Sequence, residues 1–431
     1  MSDIKPLTPD AIKTVAACAS FSGAVAQLRS TKTIRERAQA LLARARRGES
    51  AWFSVNDGAM DNAAALVAEL TRARYPDLKI PYHSRWRHFE AGGIDRPGQL
   101  KRKLQQASNE DLARARIDLA LVAVLLDAGA GADWGYCEAA VGQRPAQRFS
   151  RSEGLGVASF HAFMDGLFSS DPAQPLRADA DGLQAVTTAR LEKAFQVTPK
   201  NLLVGLEGRA ALLRRLGEAM QAQPEIFGQP ARPGHLFDQL TRGKASIAAE
   251  DLLSVLLTSL APIWPAQNAI ENAALGDCWK HPAAGSECEA TDPTKGWMPF
   301  HKLSQWLTYS LLEPFQWAGI RIEGLDALTG LPEYRNGGLF IDSGVLRLKN
   351  AKLIDRVFHV GDELIVEWRA LTVALLDELA PMVRQQLGLT EIQMPLACVL
   401  EGGTWAAGRA LAQQLRRGQP PLNIQSDGTV F

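Results

Sequence analysis

The chain has 431 residues, 46% hydrophobic and 22% charged, the make-up of a globular protein beyond the size that one hydrophobic core usually serves. Its 47 basic and 47 acidic side chains cancel, which argues against a dedicated nucleic-acid binder, whose affinity comes largely from neutralising phosphates. No stretch is apolar for long enough to cross a bilayer, and the N-terminus MSDIKPLTPD carries acids and prolines where a signal peptide has a basic start and an apolar run. The expectation is a cytoplasmic protein with no membrane partner.

Helical periodicity dominates the chain. Residues 31–47 place apolar and basic side chains at helical spacing and stop at Gly48, and residues 51–55 read as extended. Residues 99–127 follow Pro97-Gly98, begin polar, and become the buried-looking IDLALVAVLLDAG that ends at Asp127 and Gly129. Further helices are expected over 154–168, 206–221, 248–260, 297–315, 363–387 and 406–417, with extended segments at 338–349 and 357–360. The segment from Arg416 onward is polar, contains Gly and Pro, and reads as a surface tail. These elements predict a mainly α protein with minor β hairpins. Its organisation reads as N-terminal helices over 1–50, one catalytic helical region over 51–410, or two packed lobes divided near 171–234, and a tail over 411–431.

Several clusters can carry chemistry. Tyr82-His83-Ser84-Arg85-Trp86-Arg87-His88-Phe89 mixes aromatics, imidazoles and guanidiniums, which suits a planar or anionic ligand or, equally, an amphipathic loop with cation–π packing. Asp127 and Asp133-Trp134 flank small residues that allow close ligand approach or end a helix. Arg151-Ser152-Glu153-Gly154 opens a helix, where backbone N–H groups can hold an anion or be capped. Asp277, Trp279 and His281 alternate along a loop, so all three can face one pocket. Glu333, Tyr334 and Arg335 follow Pro332 and precede Asn336-Gly337-Gly338, a stretch that reads as a turn needing glycine at φ > 0. That turn can present an acid to a small ligand, or the acid and arginine can form an ordinary ion pair.

Five scattered cysteines fit reduced thiols. Cys278, His281 and Cys288 are the only approach to a zinc spacing, and no second pair follows, so neither a metal nor a cofactor is expected. No phosphate loop, dinucleotide fingerprint, nucleophile elbow or His-Glu-x-x-His helix occurs. Acids, arginines and aromatics on loops between helices remain, an inventory for acid–base or electrostatic catalysis on a small polar molecule.

The segments SRWRHFEAGG (84–93), LLDAGAG-x-x-W-x-Y (125–136), RSEGL (151–155), PFHKLSQWLTYSL (299–311) and LTGLPEYRNGGLF (328–340) together resemble the uracil catabolism protein four family, in order, from about residue 30 to 410. The resemblance implies a place in a pyrimidine-degradation route in which uracil enters as its ribonucleotide. A cyclohydrolase-like enzyme opens the ring, and urea must then leave a ribosylurea-type compound. A more distant likeness joins Lys302 and Gln305, Glu333-Tyr334-Arg335 and Glu367-Trp368-Arg369 to the queuosine salvage proteins, which cleave an N-glycosidic bond. Their architecture is all-helical and shared with helix-hairpin-helix DNA glycosylases, whose glycine signature is not evident here. The departure is Glu333, where those proteins have aspartate.

Under this resemblance the reaction passes through an oxocarbenium-like state that a carboxylate stabilises. Glu333 is the first candidate and Asp277 the second. Arg335 would keep Glu333 ionised, and His281 or Tyr334 would assist the leaving urea. Arg85, Arg87, Lys302 and Arg369 are candidates for a 5′-phosphate, Trp86, Trp134 and Trp279 for the pocket wall, and Gln305 and Asp127 for further substrate contacts. Two other readings stay open: a metal-assisted amidohydrolase using His83, His88, Asp127 and His281, and a non-catalytic protein that binds a pathway intermediate or partner enzyme.

Overall fold

The computed structural model describes residues 23–127, 129–131, 133–140, 142, 144–264 and 268–425. The expected N-terminal helices are therefore seen only from residue 23 onward, and residues 426–431 of the expected tail likewise lie outside the described residues. The protein is mainly α. Helix α1 (Thr31–Arg46) turns Ile34, Ala38, Leu41, Leu42 and Ala45 inward at helical spacing. Helix α2 (Met60–Arg74) does the same with Met60, Ala63, Ala64, Val67, Ala68 and Thr71. Its alanine-rich sequence reads weakly as a pattern, and it was absent from the expected elements.

The long helix expected over 99–127 is two. Helix α3 (Arg96–Lys103) is capped by Asp95, whose carboxylate accepts the Gly98 N–H at 2.7 Å. Helix α4 (Asn109–Leu125) starts afresh because the Ser108 hydroxyl accepts the Asp111 N–H at 3.0 Å. Helices α5 (Arg151–Met164), α6 (Leu206–Gln221) and α7 (Ala249–Ser259) follow. The stretch expected as one helix over 297–315 splits into strand Trp297–Pro299 and helix α8 (Lys302–Trp317), separated by His301 at φ 50°.

The Glu333 stretch is also corrected. It is no φ > 0 turn but the start of helix α9 (Tyr334–Asp342), and only Leu346–Leu348 of the expected extended run is a strand. Gly337 and Gly338 lie within α9 for reasons of space: a Cβ on Gly337 would sit 2.7 Å from the Trp368 ring. Helix α10 (Glu363–Leu387) is buried along most of its length, and α11 (Trp405–Arg416) closes the order. Ahead of α11 comes a single π-helical turn, Leu400–Thr404.

The described strands form six two-stranded pairs and no larger sheet. Phe53–Val55 pairs with Leu346–Leu348, and Cys278–Lys280 with Trp297–Pro299. One cluster of buried apolar side chains runs from Ile34 to Leu422 and includes residues on both sides of 171–234. The expected surface tail is tied down: Leu422 is fully buried, and Asn423–Ile424 pairs with Val357–Phe358. No helix among the described residues is long and apolar enough to cross a membrane.

Helices α9 and α11 touch backbone to backbone, since a Cβ on Gly408 would lie 1.9 Å from the Arg335 carbonyl oxygen. A Gly408→Ala change is therefore expected to destabilise by about 1–3 kcal/mol, although alanine's helix propensity alone favours it by about 1 kcal/mol. Chemical denaturation checks the sign, and a raised midpoint would mean that α11 can slide aside without cost.

Candidate active site

The floor of the site is built around Asp277. Arg369, on α10, grips its carboxylate with both ends of the guanidinium, Nη1 to Oδ1 at 2.8 Å and Nη2 to Oδ2 at 2.7 Å. The Trp279 indole donates to Oδ1 at 2.7 Å, and the Lys302 backbone N–H, at the first turn of α8, donates to Oδ2 at 2.9 Å. Burial alone raises a carboxyl's pKa; here the guanidinium and the N–H donors outweigh it and hold Asp277 well below the usual carboxylate range. The Arg369 guanidinium also lies over the Phe300 ring, 4.1 Å from its centroid. With its oxygens so engaged, Asp277 is placed as a clamp. His281, two residues past Trp279 along the strand, reaches Glu367 instead, Nε2 to Oε2 at 3.2 Å, and Glu367 also receives the Ser50 hydroxyl.

Glu333 is the N-cap of α9, with Oε1 accepting the Asn336 N–H at 2.8 Å. Burial pushes its pKa up, against the opposing pull of the Arg335 and Asn336 N–H groups and of the nearby Lys302 and His83. The Arg335 guanidinium turns away: it stacks on Tyr334 at 4.7 Å and donates to the Gly418 carbonyl at 3.2 Å. The expectation that the Arg335 guanidinium holds Glu333 ionised is thus corrected, because the guanidinium is directed elsewhere and the net shift runs upward. Lys302 is the cation beside Glu333. Burial first, and Arg369 second, lower the Lys302 pKa, while Asp277, Glu333 and Asp127 act against them. Gln305 is fully buried one turn on and accepts the Thr329 N–H at 3.4 Å. Tyr334 and Glu333 remain partly exposed.

Asp127, just past the end of α4, also acts on Lys302. It accepts Arg85 Nη1 at 2.6 Å and the Ser152 hydroxyl, in the first turn of α5, at 3.0 Å. Arg85 is fully buried, and its Nε and Nη2 have no hydrogen-bond partner among the described residues. The same holds for Trp306 Nε1 and His88 Nδ1. These two aromatic side chains and the guanidinium are neighbours: Arg85 lies 5.6 Å over Trp306, and His88 meets Trp306 edge-on at 5.7 Å. Burial, with Arg85 next in weight, drives the His88 pKa well below the usual value, so the ring is neutral.

Three expected site residues have other duties. Trp86 and Trp134 are fully buried and donate to the Ser310 and Phe195 carbonyls, so they hold the core rather than wall a recess. Arg87 pairs with Glu313, Nη2 to Oε1 at 3.0 Å, and Ser84 donates to the other oxygen. Burial raises Glu313 to about 7 despite both partners.

The sequence reading missed Trp306, Glu313 and Glu401 as site residues. Glu401 lies in the π-helical turn and accepts Arg74 Nη2 at 2.7 Å, Tyr75 Oη at 2.9 Å and His83 Nδ1 at 2.9 Å. Against burial, His83 and Arg74 hold its carboxyl down to about 2. An acid followed by Gly402-Gly403 was the available signal. The four residues of the amidohydrolase reading do not converge: among the described residues no three His, Cys, Asp or Glu side chains form a metal-binding group. A cleft of about 860 Å³ lined by Arg29, Glu250 and Asp251, among others, shares no residue with this site.

The Asp277 clamp can be tested directly. Arg369→Leu strands a buried carboxylate and is expected to cost about 3–5 kcal/mol. Because Asp277's folded pKa is depressed, its contribution is present above the unfolded carboxyl pKa and is lost as pH falls. The variant's deficit is therefore expected to shrink on acidification. Denaturation near pH 7 and near pH 4 measures this, and a deficit independent of pH would assign the loss to packing.

The chain is 40% identical over 417 residues to Protein urg3 of Schizosaccharomyces pombe, a match spanning 94% of this chain and 99% of that protein. It is 36% identical over 418 residues to Uracil catabolism protein 4 of Lachancea kluyveri, spanning 89% and 93% respectively. A family model described as Protein of unknown function (DUF1688) matches residues 27–431, and a match over nearly the whole length shows that the chain belongs to that family.

Proposed function

We propose that this protein is an N-ribohydrolase of uracil catabolism, cleaving the ribosyl C–N bond of a ribosylurea-type nucleoside or its 5′-phosphate to release urea. The uracil-catabolism part rests on the name of the Lachancea kluyveri relative, to which the chain is similar over 93% of that protein's length. The reaction rests on Glu333: a carboxyl with a pKa raised by burial, on a residue that is still partly exposed, beside a Lys302 that also feels Asp127, the partner of Arg85. A carboxylate there can stabilise positive charge on the sugar and take a proton from the attacking water, and a pKa nearer the working pH makes it a better base. The order of Lys302, Gln305 and Glu333-Tyr334-Arg335 along the chain, which resembles that of the queuosine salvage proteins, supports the same bond type.

The unpartnered donors of Arg85 and Trp306 supply the other half of the fit. A urea carbonyl or a phosphate carries acceptor oxygens that would use them, and each buried donor left unpaired costs about 1–3 kcal/mol. Arg85 is therefore the residue for selecting the substrate, and Arg87, committed to Glu313, supports it through the short helical turn that both share.

Purified protein incubated with synthetic ribosylurea and its 5′-phosphate is expected to release urea and the free sugar. Glu333→Gln keeps an oxygen to accept the Asn336 N–H, so the fold is expected to hold while kcat/KM drops roughly 10²–10³-fold. The raised pKa also sets a sign: the base works deprotonated, so the wild-type rate falls as pH drops through a value above the ordinary glutamate pKa of about 4.3. Urea release by neither substrate would end this reading, and near wild-type turnover by Glu333→Gln would move the base elsewhere.

A further inference from the structure

His83 lies near enough to Glu333 to pull on its charge, and is oriented by a carboxylate that takes no direct part in the chemistry proposed above. Its backbone N–H donates to the Ala397 carbonyl at 2.9 Å, which fixes the start of the short helical turn. Its Nδ1 lies 2.9 Å from Glu401 Oε2, and the Arg74 guanidinium and Tyr75 hydroxyl hold the other Glu401 oxygen, at 2.7 and 2.9 Å. A carboxylate kept ionised in this way orients the ring and selects the tautomer with the proton on Nδ1, leaving Nε2 to face away from Glu401. Nε2 has no hydrogen-bond partner among the described residues, and the side chain is 12% exposed. The charged and titratable groups around the ring are Glu401 from the π-helical turn, Glu333 from the start of α9, and His88 from its own turn. Trp405, at the start of α11, lies 6.5 Å from the ring and limits its swing.

A π-helical turn widens the helix by one residue, is rare, and is frequently found at functional sites. Here it is stabilised from outside: Gly402 and Gly403 pack against Thr71 and Val67 with no room for a Cβ, since one on Gly403 would lie 2.4 Å from the Val67 carbonyl oxygen. The Glu401 carboxylate is thereby held opposite His83 with little freedom to move.

We infer that His83 is the proton donor to the leaving urea and that Glu401 is its positioning residue, an inference that rests on the N-ribohydrolase reading. The C1′–N bond breaks and its electron pair stays on the urea nitrogen, which takes the proton from His83 Nε2. Water forms the C1′–O bond and gives a proton to Glu333. The net change is substrate plus water to free sugar plus urea, and solvent returns the proton from Glu333 to His83. Urea is a poor leaving group unless protonated, so a donor at this point is worth about 10²–10⁴-fold in rate.

The test compares wild type, His83→Asn and Glu401→Gln on ribosylurea and on 4-nitrophenyl riboside, whose leaving nitrophenolate needs no proton. His83→Asn keeps a donor for Glu401 and removes the Nε2 position. It is expected to lose about 10²–10⁴-fold on ribosylurea, to lose no more than a few-fold on the nitrophenyl riboside, and to lose the alkaline limb of the wild-type pH profile. Glu401→Gln is expected to fall between the two, with that limb displaced. Equal losses of His83→Asn on both substrates, or an alkaline limb that survives in it, would overturn the assignment while leaving the hydrolase reading intact. Wild-type protein that releases no urea would overturn the hydrolase reading and this inference together.

Discussion

A carboxylate removed from water needs donors for every lone pair, and Asp277 has found them on three separate segments. Arg369 comes from α10, Trp279 from the adjoining strand, and the Lys302 N–H from the head of α8. A buried ion pair of this kind is weak evidence of net stability, because desolvation opposes the Coulomb gain. Its effect is geometric. It fixes where α8 begins, and so where the Lys302 side chain leaves the backbone. It also brings Arg369 to the segment that delivers Glu333, since Nε approaches the Pro332 carbonyl at 3.4 Å. The same segment is held by the Tyr309 hydroxyl on the Thr329 carbonyl and by the Asn336 amide on the Leu331 carbonyl, while Thr404 holds the Asn336 amide oxygen. The π-helical turn and the Glu333 cap therefore share a residue in their support.

The electrostatics around Glu333 follow from that frame. Glu333 and Lys302 are displaced toward one another, the carboxyl up and the ammonium down, each chiefly by burial. Burial thus works against the charged form of both groups, while each pulls the other back toward it. Asp277, by contrast, is locked in its charged form by the same surroundings. Two acids that look equivalent in the sequence are thus separated by their partners: one is spent on structure and the other is left with room to titrate.

Local regularity was legible in the sequence, and the reasons for the exceptions are physical. Helices α1, α6, α7 and α10 carry clear periodic patterns and lie within two residues of where the pattern places them. Helix α2 escaped because its buried face is mostly alanine, which carries little hydropathy contrast. The Asn336-Gly337-Gly338 stretch reads as a turn because glycine usually marks one, yet both glycines serve close packing, against Trp368 and Pro421. The site was legible where the chain concentrates unusual residues, at 83–88 and 333–335. Its pairings were not, since Glu401 lies more than 300 residues from His83 and Glu313 more than 200 from Arg87. No spacing rule reaches that far. Trp86 shows the opposite error: a tryptophan inside a polar motif invites a ligand-facing reading, but its indole is satisfied by the Ser310 carbonyl in the core.

The polar atoms without partners point beyond the protein itself. Native interiors pair nearly all their buried polar groups, so a cluster of exceptions calls for an explanation. Arg85 Nε and Nη2, Trp306 Nε1 and His88 Nδ1 are clustered around one indole and adjoin the one carboxylate, Asp127, that satisfies Arg85 only in part. Asp127 alone does not neutralise the demand, because its second oxygen is given to Ser152. Burial lowers the arginine's pKa and raises the aspartate's, so the pair is held at a cost in desolvation that the protein's own contacts do not offset. An acceptor-rich ligand entering from the Glu333 side would supply what is missing, with donors on one flank and a carboxylate on the other. Under the proposed reaction that asymmetry sets the orientation of the substrate: oxygens toward Arg85 and Trp306, and the anomeric carbon toward Glu333.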